Sequence, residues 1–169
     1  MINYYIEKNL VTIKRFAAIH EDENYRFRAF LKRQNSAKVD ATVLRLNKEI
    51  TPKIDCTLCG NCCNLQPVLA EEEIETLAKL ENITSEEYME KYCAEKFGDI
   101  YLYAKPCHYL AKTGCSIYGN RPEECRAFPC TDKKGFTSRL LEMINRYEVC
   151  PIVYNLMERL KDEMGFRRR

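Results

Sequence analysis

Four of the chain's ten cysteines crowd into one short run, Cys56-Thr57-Leu58-Cys59-Gly60-Asn61-Cys62-Cys63, and any fold of this sequence must place those thiols. A C-x-x-C pair lets two thiolates grip one metal ion from a tight turn, with backbone N–H groups aimed at the sulfurs. Gly60, directly after the second cysteine, supplies the positive φ that such a knuckle often needs. Cys62 extends the run to C-x-x-C-x-x-C, the opening of the bacterial ferredoxin ligand pattern, but the next cysteine follows at once. Adjacent side chains diverge, toward opposite faces of a strand or by about 100° around a helix. Cys62 and Cys63 are therefore expected to serve two ions or one larger cluster.

The other cysteines are spread out. Cys107, Cys115, Cys125, Cys130 and Cys150 are candidate metal ligands provided the fold returns them to the first run. Cys107 and Cys130 each follow a proline and Cys150 precedes one, and proline fixes the local chain and removes a competing donor. Cys93, beside Tyr92 in a stretch that reads as helix, is expected in the core, where cysteine is a good small hydrophobe. Eight thiolates would satisfy two closed tetrahedral zinc sites. Four would satisfy a [4Fe–4S] cubane and leave the rest over. Sulfur-only ligation suits zinc and iron alike, so the choice stays open. His108 could replace one sulfur, although a core or surface place is expected for it, and His20 has no cysteine near it in sequence.

The opening residues, MINYYIEKNLVTIKRF, carry Glu7, Lys8, Lys14 and Arg15 through every apolar stretch, so no secretory signal is expected there. No window approaches the roughly 18 apolar residues of a membrane-spanning helix, and no membrane partner is expected. The expected compartment is the cytoplasm, where a lasting disulfide framework is the poorer explanation of so many thiols. A formal net charge of +2 gives no reason to expect a nucleic-acid partner. The closing Arg167-Arg168-Arg169 reads as a solvated tail.

Around the cysteines the sequence is mostly helical. Residues Ile2 to about Gln34 read as helix, with Leu10, Ile13, Phe16 and Ala17 on one face. Val39, Val43, Leu46 and Ile50 mark a second helix that Pro52 stops. Glu71 to Leu80 is amphipathic, and Thr84-x-x-Glu87 is a capping-box pattern opening a helix expected to end near Gly98. Ile100 to Tyr103 has strand composition, and Cys107 to Tyr118 reads as short extended pieces about a turn at Thr113-Gly114. Pro122 suits the first position of a short helix carrying Cys125, and helices over about Phe136 to Arg146 and Pro151 to Met164 finish the chain. The expected fold is mainly α with a small irregular or β cysteine-rich centre, an α+β arrangement with few short strands. Residues 1–50 are expected to form a helical arm, available to a protein partner, and residues 51–169 the cysteine-cluster domain.

With those motifs in view, the chain resembles the YkgJ-like cysteine-cluster family, a zinc- or iron-chelating type of domain with a CxxCxxCC motif. The resemblance rests on Cys56-x-x-Cys59-x-x-Cys62-Cys63 and on Pro106-Cys107-His108-Tyr109-Leu110. It continues through Cys115-Ser116-Ile117-Tyr118 into Arg121-Pro122-x-x-Cys125-Arg126-x-Phe128-Pro129, and ends at Cys150-Pro151. It covers about residues 39 to 162. It implies eight ligand cysteines, Cys56, Cys59, Cys62, Cys63, Cys107, Cys115, Cys125 and Cys150, with Cys130 as an extra candidate. Relatives of the domain occur in flagellin lysine methylases, so the resemblance carries methyl transfer as an analogy only. Arg121 and Arg126, the charged members of the signature, are expected to offset thiolate charge.

The leading expectation is a cysteine-cluster metal-binding protein, its metal ion or ions organising the fold or carrying electrons. The alternatives are a cluster-dependent enzyme related to methyltransferases, or a metal-stabilised interaction module. Against an enzyme stand the missing C-x3-C-x2-C spacing of radical cluster enzymes and the missing glycine-rich loop after a strand. A thiol oxidoreductase is disfavoured because no βαβ pattern surrounds the C-x-x-C. Hydrolytic chemistry has no G-x-S-x-G and no H-E-x-x-H to rest on. Whether the chain is an enzyme stays open.

Overall fold

A computed structural model describes residues 5–168. Helices α1 (Leu10–Ile19), α2 (Glu21–Leu31) and α3 (Ser36–Ile50) come first. The cysteine run follows as α4 (Cys56–Cys59) and a 3-10 turn over Asn61–Asn64. Next come α5 (Glu71–Glu81), α6 (Ser85–Tyr92), strands β1 (Cys93–Lys96) and β2 (Asp99–Leu102), and the tiny strands β3 (Leu110–Ala111) and β4 (Gly114–Cys115). The chain continues through α7 (Glu123–Ala127), a 3-10 turn over Phe136–Arg139, α8 (Leu140–Tyr147) and α9 (Pro151–Glu163). The class is mainly α with a few short antiparallel strands, as expected. No helix among the described residues is long and apolar enough to cross a membrane.

The chain divides into two compact units. Met1–Asp55 and Pro129–Arg169 form a helical unit, and Cys56–Phe128 forms a cysteine unit. The sequence division at residue 50 grouped the last two helices with the cysteines, whereas their packing groups them with α1, α2 and α3.

In the helical unit α3 lies along α9, and α8 packs on both α2 and α9. The period that marked α3 in the sequence is its buried face: Val39, Val43, Leu46 and Ile50 are all fully buried. Ile152, Leu156, Met157 and Leu160 of the α9 helix are buried as well. Asn9 and Asn35 accept backbone N–H bonds at the starts of α1 and α3, which satisfies donors a helix end leaves unpaired. The single helix expected from Ile2 is two. Its first residues lie outside the described ones, Leu10 begins the helix, and His20 leaves helical geometry with φ −97° and ψ 12°. The second helix restarts on Glu21-Asp22-Glu23, three acids at its positive end.

The arginine tail is not simply solvated. Arg168 pairs with Glu158 at 2.6 Å and Asp162 at 2.9 Å, and Phe166 packs against Phe27 and Phe30. Arg169 lies outside the described residues.

The cysteine unit has a smaller core of Leu69, Ile74, Leu77, Ala78, Tyr88, Leu102 and Tyr109. The Thr84 capping box forms as expected, with Glu87 N–H donating to Thr84 at 3.2 Å and Thr84 N–H to Glu87 at 2.8 Å. Its helix, however, ends at Tyr92 instead of near Gly98. Cys93 is thus not mid-helix: it starts β1, pairs with Leu102 of β2 and is half-buried against the core. The two strands turn through Phe97 (φ 58°) and Gly98 (φ 86°), the positive-φ pair that a tight hairpin of right-twisted strands requires.

Candidate metal centre

Each cysteine is carried by a short piece of chain that something specific holds. In the knuckle, α4 presents Cys56 at its start and Cys59 at its end, and Gly60 follows at φ 57°, the conformation its sequence position implied. Cys62 and Cys63 sit on the 3-10 turn that begins there. Next to it, the Cys107 N–H donates to the Cys63 carbonyl at 2.7 Å, which fixes the second cysteine segment against the first. Cys107 leads into β3, whose Leu110 pairs with Cys115 on β4.

The β3–β4 hairpin also needs one particular residue to lie on the knuckle. A Cβ placed on Gly114 would stand 2.3 Å from the Thr57 carbonyl oxygen, far inside contact distance, and Gly114 has φ 105°. Cys125 arrives on α7, which two carboxylates moor. Glu73 accepts from the Glu123 N–H at 2.6 Å, and Glu124 accepts from the Val68 N–H at 2.8 Å. Sequence reading assigned neither acid a role. Glu73 does sit at the third position of α5, where a glutamate commonly turns back on its own helix start, and its other oxygen does so to Ala70 at 2.9 Å.

These tethers bring six thiols close enough to alter one another's charge: Cys59, Cys62, Cys63, Cys107, Cys115 and Cys125. Burial pushes the Cys63 thiol up to about 12, helped by Cys62, Cys107 and Cys115. Burial likewise pushes Cys125 up to about 12, with Cys62, Cys107 and Cys115 adding to it. Cys62 and Cys107 are raised for the same first reason. Without a cation Cys62, Cys63, Cys107 and Cys125 are held as neutral thiols, because a thiolate there would meet both poor solvation and like charge. Cys62 and Cys63 stand next to each other on that turn, and each acts on the other's thiol.

One cation favours the ionised form. Arg121 lowers the thiol values of Cys62 and Cys125, against their burial. Its guanidinium is held over the Tyr118 ring at 3.7 Å, and its Nε donates to the Tyr118 carbonyl at 3.0 Å. Arg126, expected to share this work, does another job. It pairs with Glu123 and donates to the Arg121 carbonyl at 2.6 Å, bracing the residue that faces the thiols.

The remaining candidates are placed otherwise. Cys130, at φ 60°, and Cys150, buried just before α9, belong to the helical unit. His108 is stacked on Tyr92 with ring centroids 4.0 Å apart and lies 3.9 Å from the Tyr109 ring. Partial burial lowers its pKa, and it packs in this aromatic cluster. No disulfide joins any pair of cysteines among the described residues. Among those residues, the three-donor group whose ligand atoms all lie within 4.8 Å of one another is His20, Glu23 and Glu158 of the helical unit. The six thiols thus influence one another without forming a closed coordination shell. Their chemistry fits a soft or borderline cation: sulfur donors only, from four stretches of chain, with one arginine to offset their charge.

A family model with the CxxCxxCC signature, described as "Putative zinc- or iron-chelating domain", matches residues 55–151, more than half of the 169-residue chain. No curated protein and no solved structure was found to match the chain.

Proposed function

The chain belongs to the CxxCxxCC zinc- or iron-chelating family, and from that premise we propose that the cysteine unit is where it holds its metal, by thiolate ligation alone. The observation that carries this reading is the gathering of Cys59, Cys62, Cys63, Cys107, Cys115 and Cys125 beside Arg121. Cys56, at the head of the same knuckle, completes the signature, and Cys150 is carried over from the family pattern. Zinc or iron would supply the positive charge these thiols lack, and each would lose its proton on ligation. Closed sulfur ligation makes the metal an organiser, tying the short, loop-borne segments of the unit together. A [4Fe–4S] cluster is the iron form of the same proposal. Its setting is a reducing compartment, the cytoplasm, where thiolates stay available to metal.

Anaerobic purification followed by zinc, iron and acid-labile sulfide analysis tests it. Zinc or iron should co-purify with the wild type and be lost when Cys62 and Cys125 are both changed to Ser. A cysteine unit that folds and stays folded with no metal bound would sink the reading. Sulfide present in proportion to iron would select the cluster form, and zinc without sulfide the closed tetrahedral one.

A further inference from the structure

The helical unit contains a second set of metal-type donors, closed by the chain's own cation. One ring nitrogen of His20 and one carboxylate oxygen from each of Glu23 and Glu158 lie within 4.8 Å of one another. Nitrogen and oxygen donors sit about 2.0–2.2 Å from a small divalent ion, so two of them on one ion stand at most about 4.4 Å apart, and the 3.9 Å between His20 Nδ1 and Glu158 Oε1 falls inside that span. Here an amine stands between the carboxylates. Lys161, fully buried, places Nζ 2.6 Å from Glu23 Oε1 and 2.6 Å from Glu158 Oε1. The donors around it are held on every side. The Tyr147 hydroxyl donates to Glu158 Oε1 at 2.7 Å, and His20 Nδ1 is 3.2 Å from that hydroxyl. Arg168 binds the other Glu158 oxygen at 2.6 Å.

We propose that Lys161 is a specificity-determining residue for the chain's metal uptake: its ammonium fills, as an internal cation, the nitrogen-and-oxygen site that His20, Glu23 and Glu158 assemble. The consequence, which rests on the thiolate reading above, is that sulfur is left as the donor type open to metal. The physical case is one of competition. A tethered ammonium reaches the carboxylates without a bimolecular entropy cost, whereas a hard divalent ion must shed water and displace a buried, doubly hydrogen-bonded charge. Take the amine away and Glu23 loses its close counter-cation while Glu158 keeps only Arg168, on its other oxygen, which leaves a demand for a cation between the two carboxylates.

Lys161→Met tests this. Methionine fills the space of the lysine stem and ends one atom short of Nζ, leaving the amine's place open. Mn2+ is the probe, because it prefers carboxylate and imidazole donors to thiolates. Full-length wild type and Lys161→Met are titrated with Mn2+ by electron paramagnetic resonance, with thermal unfolding read in parallel. The variant should take up Mn2+ at a single site, at least roughly tenfold more tightly than the wild type. It should also gain Tm with added Mn2+, and Lys161→Met combined with Glu158→Gln should lose both effects. Lys161→Ala is the second carrier. If neither variant, folded directly or refolded with Mn2+, binds it better than the wild type, the proposal is overturned. It is equally overturned if the wild type already binds Mn2+ as tightly. Zinc and iron content of the same wild-type samples reports separately on the thiol site, so either idea can fail alone.

Discussion

The helical unit and the cysteine unit reach order by different means. In the first, helices of 8 to 15 residues bury apolar faces on one another, and Lys161 with its carboxylates lies among them. In the second, the cysteines ride on α4 and α7, of 4 and 5 residues, and on two-residue strands. Pieces that short do not hold their shape by propensity, since helix nucleation alone costs more than they return. They are kept by single tethers: the Cys107–Cys63 backbone bond, the Glu73 and Glu124 moorings, and the Gly114 approach to Thr57. The difference teaches that burial can stabilise the helical unit by itself, while the cysteine segments need something further to bind them together. On the proposed reading that something is the metal.

Removing the metal should break the comparison open most widely. Structural thiolate sites contribute on the order of 10 kcal/mol to the domains that carry them. Stripping the protein with a strong chelator under reductant should abolish hydrogen-exchange protection in residues 56–128. Protection of α3 and α9 should persist. Equal loss in both units would show that they are not independent, and no loss in either would show that the short segments need no metal.

That contrast also explains what could be read from the sequence. The apolar period of Val39, Val43, Leu46 and Ile50 is both the sign of α3 and its physical cause, so the two agree. The Thr84 cap and the positive φ of Gly60 are local chemistry and were legible for the same reason. The end of α6 was not. Cys93-Ala94-Glu95-Lys96 contains good helix formers, and only pairing with Asp99–Leu102 makes it a strand. Gly98 looks like a helix stop in the sequence, yet it is half of a hairpin turn. In the site, the cysteine spacings pointed to candidate ligand-bearing loops, but they could not say which loops meet. Glu73 and Glu124 act across 50 and 56 residues of sequence, a distance at which no local pattern speaks.

A smaller, more local effect should come from Gly114→Ala. Its new methyl would press on the Thr57 carbonyl at 2.3 Å, a backbone atom that cannot swing aside, at a φ of 105° that alanine resists. A cost of about 2–3 kcal/mol is expected, confined to the cysteine unit, with weaker zinc or iron retention. Gly98→Ala is the matched control. It also carries a positive φ, 86°, but nothing lies within 4 Å of its added Cβ, so about 1 kcal/mol and unchanged metal content are expected. Similar losses from the two would mean that hairpin contact with the knuckle contributes little.

The finest distinction between the units lies in alkali, with the metal removed. Cys63 and Cys125 are raised from 9.0 to about 12, chiefly by burial and then by neighbouring thiols. A group whose folded pKa is raised favours folding while it stays protonated. Its contribution is therefore complete below about pH 9 and fades as pH climbs toward 12, because the unfolded chain releases those protons first. The helical unit has tyrosines of the same sign: Tyr147 and Tyr154 are both raised from 10.0, by burial and by Glu158. Their loss begins about one pH unit later. Between roughly pH 9 and 10, metal-free protein should thus lose protection in residues 56–128 before it loses any in α8 and α9. Hydrogen exchange followed across that window at constant ionic strength makes the measurement. With metal bound the thiols are already ionised, so the early loss should vanish and stability should instead fall on the acid side, where protons compete for sulfur. An early loss that persists in the loaded protein would mean that the raised thiols are not the ligands.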